Sequence, residues 1–179
     1  KLGYQAAVMI LTEDHNHVKV SYATLKPPLL DAAGRLVGLS LGNLLVPLAP
    51  DGFLRRVVTE GKSAFCESSA DLMTRGFPKI GRSLIERMLQ MLNVAQSIYA
   101  PLMVDGEVFG VLTVAGIGLT EADVPAVTAF ANQAGITLEN ARLFRQQQDS
   151  RERLRQLAQQ TVTAQEQERQ HLSHALHDE

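Results

Sequence analysis

The sequence predicts an α+β fold that ends in one long helix, and three observations carry this reading. Apolar residues alternate with polar ones in short runs that bracket turn residues, once near the start and once near the middle of the chain, as paired strands require. Between those runs lie stretches with apolar residues at helical spacing. From Ile136 to Glu179 there is neither Gly nor Pro, and Leu, Gln, Arg, Glu and Ala dominate, so a continuous helix is expected there.

Ala6 to Leu11 is a short apolar run, and Val18, Val20 and Tyr22 alternate with His17, Lys19 and Ser21. The polar residues Glu13 to Asn16 between them make the pair a hairpin, with His15 and His17 at the surface. Leu29 to Val37 reads as a helix stopped near Gly38, Leu44 to Leu48 as a short strand, and Gly52 to Glu60 as a helix stopped at Gly61, since glycine accepts the left-handed conformation that ends a helix. Ser63 to Glu67 is expected to be a strand, followed by a polar loop containing Gly and Pro. Leu84, Ile85, Met88, Leu89 and Leu92 then recur as one face of an amphipathic helix.

Ser97 to Val114 contains two β-rich runs joined by Asp105-Gly106, a pair that favours a tight hairpin turn. Pro101 lacks an N–H to donate, so it calls for an edge or bulge position. Leu119 to Asp123 opens the next helix, with Thr120 as its cap and Asp123 at the position of a capping-box acid. The helix expected from Ile136 onward would extend roughly 65 Å. Its apolar stripe runs through Leu154, Leu157, Thr161 and Ala164, reaches Glu168 and His171 in the same register, and shifts to Leu172 and Leu176. Such a stutter locally unwinds a coiled coil, and a weak seam suits a switch between two packings.

Composition narrows the function classes. The chain has 179 residues, 45% hydrophobic and 20% charged, enough for one good core and an extension. A net charge of -2 gives no basic field for nucleic acid. No run approaches the roughly 18 apolar residues of a membrane span, so direct membrane contact is not expected. The single cysteine, Cys66, allows no internal disulfide and no multi-cysteine metal site, and fits a reducing, cytoplasmic setting.

The hairpin Ala100 to Val114, the helix opening Leu119 to Asp123, and Phe130 to Phe144 resemble the C-terminal half of a GAF domain. The resemblance extends from Tyr4 to about Phe144, with Leu25 to Asn93 carried by the order of elements. It implies a central antiparallel sheet flanked by helices, a pocket on one sheet face, and a parallel homodimer.

Glu168-Arg169, Leu172-Ser173 and Leu176-His177-Asp178 together resemble the acceptor helix of two-component histidine kinases of the His-Asp subclass. That resemblance implies His177 as phosphoacceptor and Asp178 as the neighbour that orients it or takes its proton. The organisation expected is a GAF sensory domain at 1–143, a signalling coiled-coil helix at 144–166, and the start of the dimerisation and phosphoacceptor domain at 167–179. Both ends read as cuts from a longer parent kinase, which would carry the ATP and Mg site and meet a response regulator. No cofactor is expected within 1–179, and the chain alone should be inactive. Two other readings stay open: a ligand-free GAF dimerisation and relay module, and a GAF regulator of a different output.

The remaining candidates are weaker. His171, His174 and His177 are three apart on one helix without a carboxylate or thiolate to complete a tetrahedral metal site, so no metal is assigned. Cys66 is followed by Glu67 and not by the histidine found beside bilin-attaching cysteines of GAF relatives, and it lacks an evident basic neighbour; a buried small hydrophobe is its simplest role. No histidine lies between Cys66 and Tyr99 for an axial haem ligand, and the family's cyclic-nucleotide motif is missing. Leu84, Ile85, Met88, Leu89, Met91 and Leu92, with Ile98 and Met103, offer a flexible apolar lining that can receive a small hydrophobic ligand. Such a stripe is more often plain core.

Overall fold

Each of the two expected hairpins forms, and they meet in one sheet. The computed structural model describes residues 3–177, with all their side chains except those of 142, 156–158 and 160–177. The chain falls into two compact units, Lys1–Ile136 and Thr137–Glu179.

In the first unit β1 (Gln5–Leu11) and β2 (His17–Ala23) form the first hairpin, and β3 (Leu45–Pro47) adds to β2. The second hairpin is β5 (Gln96–Val104) with β6 (Glu107–Gly116), and β4 (Ala64–Cys66) pairs with β5. All pairings are antiparallel and the order is β3-β2-β1-β6-β5-β4. Asp105 and Gly106 both have positive φ, 50° and 85°, which matches the twist of a tight hairpin. Pro101 pairs with Val111 on one side only, because β4 reaches no further along β5 than Tyr99; the edge position expected of a proline is created by the shortness of β4.

Helix α1 (Pro27–Val37) begins with prolines in its first turn and ends at Gly38, φ 69°, while α2 (Phe53–Glu60) ends at Gly61, φ 61°. Helix α3 (Ser69–Gly76) corrects the loop expected after Glu67. Its cap is Ser68, whose hydroxyl accepts the Asp71 N–H at 3.2 Å. Two turns are too short for a hydrophobic period to show. Helix α4 (Arg82–Met91) carries the expected amphipathic stripe, and Arg82 ties it to α3 through Asp71 while bonding Glu86 on its own helix, each at 2.8 Å. A tight turn, Glu121–Asp123, precedes α5, Val124–His177. There the Asp123 carboxylate accepts the Thr120 N–H at 2.8 Å and its hydroxyl at 2.9 Å, as the capping signal anticipated.

The alternation of β5 separates two cores. Tyr99 joins Met9, Val18, Leu48, Leu54, Val57 and Val111, whereas Ala100 and Leu102 join Leu112 and Ala131 of α5. A third cluster packs Ala33 and Val37 of α1 against Ile85, Met88 and Leu89 of α4. Ile85, Ile98, Leu102 and Leu112 are essentially closed to solvent, and each such side chain contributes about 1.5–3 kcal/mol of burial.

Candidate functional site

The apolar residues expected to line a pocket are spread over the first unit. Ile85, Met88 and Leu92 lie inside the α1–α4 cluster, and Ile98 is fully buried on β5. Leu84 is 39% exposed on α4, and Met103 sits at the far end of β5 with its thioether against Gly61. Two grooves lie elsewhere. One, of about 640 Å³, runs between Gly61–Ser63 and Val124, Pro125, Thr128, Ala129 and Asn132. The other, about 630 Å³, follows the outer side of β4 from Ser63 to Glu67, facing Glu121 and Val124. Neither is lined by any of the six residues Leu84, Ile85, Met88, Leu92, Ile98 and Met103.

The sheet carries a buried polar group that the sequence did not disclose. Pairing of β4 with β5 sets Cys66 beside Ser97, and pairing of β5 with β6 sets Tyr99 beside Thr113. Ser69, at the start of α3, brings its hydroxyl to 2.9 Å from that of Ser97, with both residues buried. The α3 start is held there by its backbone as well, since the Ser69 N–H donates to the Ala95 carbonyl at 3.0 Å. Tyr99 packs edge-on against Phe53 of α2, ring centres 5.5 Å apart. Thr113 Oγ1 is the one buried side-chain oxygen or nitrogen among the described residues that has no hydrogen-bond partner.

The ionisable members of this group are held in their neutral forms. Burial pushes the Tyr99 phenol up to about 12, only partly offset by the hydrogen bond with Ser97. Burial likewise raises the Cys66 thiol, against the opposing influence of Ser68 and Ser97; Sγ donates to the Ser68 carbonyl at 3.4 Å. Both groups are therefore neutral near pH 7, and a protonated thiol is a poor nucleophile. What remains is a set of hydroxyls and a thiol in a low-dielectric setting, suited to fixing packing or orienting a polar ligand group. Among the described residues no cluster of three His, Cys, Asp or Glu side chains could hold a metal ion, and no helix is long and apolar enough to cross a membrane.

Helix α5 leaves the first unit exposing large apolar side chains. Phe130 and Ile136 are more than half exposed, and in the second unit so are Leu143, Phe144 and Leu154. The side chains of Leu157, Thr161, Ala164, His171, His174 and His177 lie outside the described residues, as does all of Asp178. The backbone of His177 is the last residue of α5.

An antiparallel six-stranded sheet with helices on its flanks and a long C-terminal helix is the GAF architecture. The GAF domain family model matches residues 1–139, and the chain belongs to that family. Solved structures agree on the fold. The GAF domain of a phosphoenolpyruvate-protein phosphotransferase from Coxiella burnetii is similar at 12% identity, covering 78% of this chain and 73% of that one, with a TM-score of 0.52. A GAF domain/HD domain protein from Geobacter sulfurreducens is similar at 16% identity, covering 78% and 82%, with a TM-score of 0.51. The GAF domain of a two-component sensor histidine kinase from Bacillus halodurans, at 12% identity over 78% and 84%, gives 0.49. Among curated proteins none matches the chain.

Proposed function

We propose that the chain is the sensory and relay part of a cytoplasmic two-component histidine kinase, with His177 as phosphoacceptor and Asp178 as its orienting neighbour. The observation that supports this most is α5 itself. It begins in the GAF core, where Ala131 is wholly buried against Leu112, and is one helix to His177, within the block that resembles a kinase acceptor helix. A continuous helix carries a shift at one end to the other, provided two packings differ in what they contact. The exposed Leu143, Phe144 and Leu154 supply the apolar surface for a parallel homodimer, whose stutter near Glu168 and His171 allows those two packings. The parent kinase would bring ATP, Mg and a response regulator to His177.

Within this reading, a ligand-free relay driven by an upstream domain is favoured over a sensor of a small hydrophobic molecule. Ile85, Met88, Leu92 and Ile98 are filled into core, leaving the expected apolar lining already occupied by its own side chains. Native mass spectrometry of the freshly purified chain tests both points. A bare dimer is the expected result; a dimer with retained extra mass would restore the ligand sensor, and a monomer would contradict the helix seam.

A further inference from the structure

Beside the apolar packing of Ala131, two further contacts seat the start of α5, and both lead to the three residues between α2 and β4. The Thr128 and Ser63 hydroxyls are hydrogen-bonded at 2.7 Å, with Thr128 also bonded to the Val124 carbonyl of its own helix at 2.8 Å. Two turns further along the same helix face, Gly135 lies against the backbone of β5. A Cβ at this position would stand 3.0 Å from the Met103 carbonyl oxygen and 3.4 Å from its nitrogen. Met103 then turns its own side chain back to Gly61, where an added Cβ would meet only the methyl and sulfur of Met103, at 3.3 and 3.6 Å.

Met103 is placed to move. The β5–β6 register shifts between Leu102 and Met103, and β4 gives no cover beyond Tyr99. Its thioether is the most adaptable of the apolar side chains. Gly61 has φ 61°, and the segment Gly61–Ser63 forms one wall of the 640 Å³ groove whose other wall is α5.

We propose that Gly61–Ser63 is a clasp that sets how α5 is seated, so that displacement of this segment reaches the helix through Ser63–Thr128 and through Met103–Gly135. The clasp rests on the relay reading for its purpose, while its mechanics belong to the GAF unit alone.

Amide hydrogen exchange on the chain tests the mechanics. Gly61→Asn adds a Cβ that meets the Met103 thioether, and Asn tolerates the left-handed conformation. Ser63→Ala removes the other contact. Each is expected to speed exchange of residues 128–139 by about tenfold while the central amides of β1 and β6 keep their rates. Gly135→Ala is expected to do the same, although alanine is the better helix former. Unchanged exchange in 128–139, slower exchange in Gly135→Ala, or equal acceleration throughout the sheet would overturn the clasp.

In the parent kinase, Gly61→Asn and Ser63→Ala should alter the autophosphorylation rate about fivefold or more. Faster exchange with an unchanged rate would overturn the regulatory claim. Phosphorylation that survives His177→Gln would instead sink the kinase reading, and the exchange result would still judge the clasp.

Discussion

The hydroxyls of Ser69 and Ser97 meet 2.9 Å apart in the buried space between the start of α3 and strand β5. Each is a partner of the other, so Ser69→Ala takes a hydrogen bond from the buried Ser97 and is expected to cost about 1–3 kcal/mol. Ser97→Ala should cost about as much, because it takes the same bond from buried Ser69. The double variant is expected to cost less than the sum. A double-mutant cycle by urea unfolding measures this, and strict additivity would show that the pair does not interact.

Thr113 poses the opposite case, a hydroxyl oxygen without a partner. Thr113→Val keeps the shape and removes the buried polar atom, so it is expected to raise stability by about 1 kcal/mol. A lower unfolding midpoint would mean that the hydroxyl is satisfied by something bound in solution.

Alkaline pH should unfold the chain through Tyr99. Its phenol is held near 12 in the fold and near 10 in an unfolded chain. Between those values the folded state keeps a proton that the unfolded state releases, so stability falls as pH rises, by up to about 1.4 kcal/mol per pH unit. Below about pH 10 this contribution is fully present. The raised Cys66 thiol acts with the same sign. Tyr99→Phe is expected to flatten the decline between about pH 10 and 12; an unchanged slope in thermal melts across that window would contradict the assignment.

Two glycines should answer the same substitution with opposite signs. A Cβ on Gly34 of α1 would run into the Leu39 carbonyl oxygen, and Gly34→Ala is expected to destabilise by about 1–3 kcal/mol or more. Gly76, at the end of α3, has nothing within 4 Å of that position and no positive φ. Gly76→Ala should therefore stabilise by roughly 0.4–1 kcal/mol by reducing the freedom of the unfolded chain. Thermal melts of the two variants, moving in opposite directions, check the packing of both helices.

Local signals made most elements legible. Asp105-Gly106, Gly38 and Gly61 take positive φ, which few other residues adopt, Thr120 with Asp123 forms a capping box, and each element boundary followed. Helix α3 was missed because its signature is the Ser68–Asp71 cap alone, in a segment with Gly76 and Pro78 nearby. The pairing of β1 with β6 joins residues about a hundred positions apart, which no local pattern encodes. For the same reason Cys66, Ser69, Ser97, Tyr99 and Thr113 could not be seen as one group, since strand register and the seating of α3 beside Ala95 bring them together. The α4 stripe was legible as apolar, but periodicity does not distinguish a pocket wall from a filled core.

The central claim, that α5 delivers a GAF signal to His177, is tested most directly by phosphorylating the parent protein with γ-labelled ATP and comparing it with His177→Gln. The expected result is an acid-labile, base-stable phosphate that His177→Gln abolishes, with Leu154 and Leu157 substitutions altering its rate of formation. Label that persists in His177→Gln, or rates indifferent to Leu154 and Leu157, would contradict it.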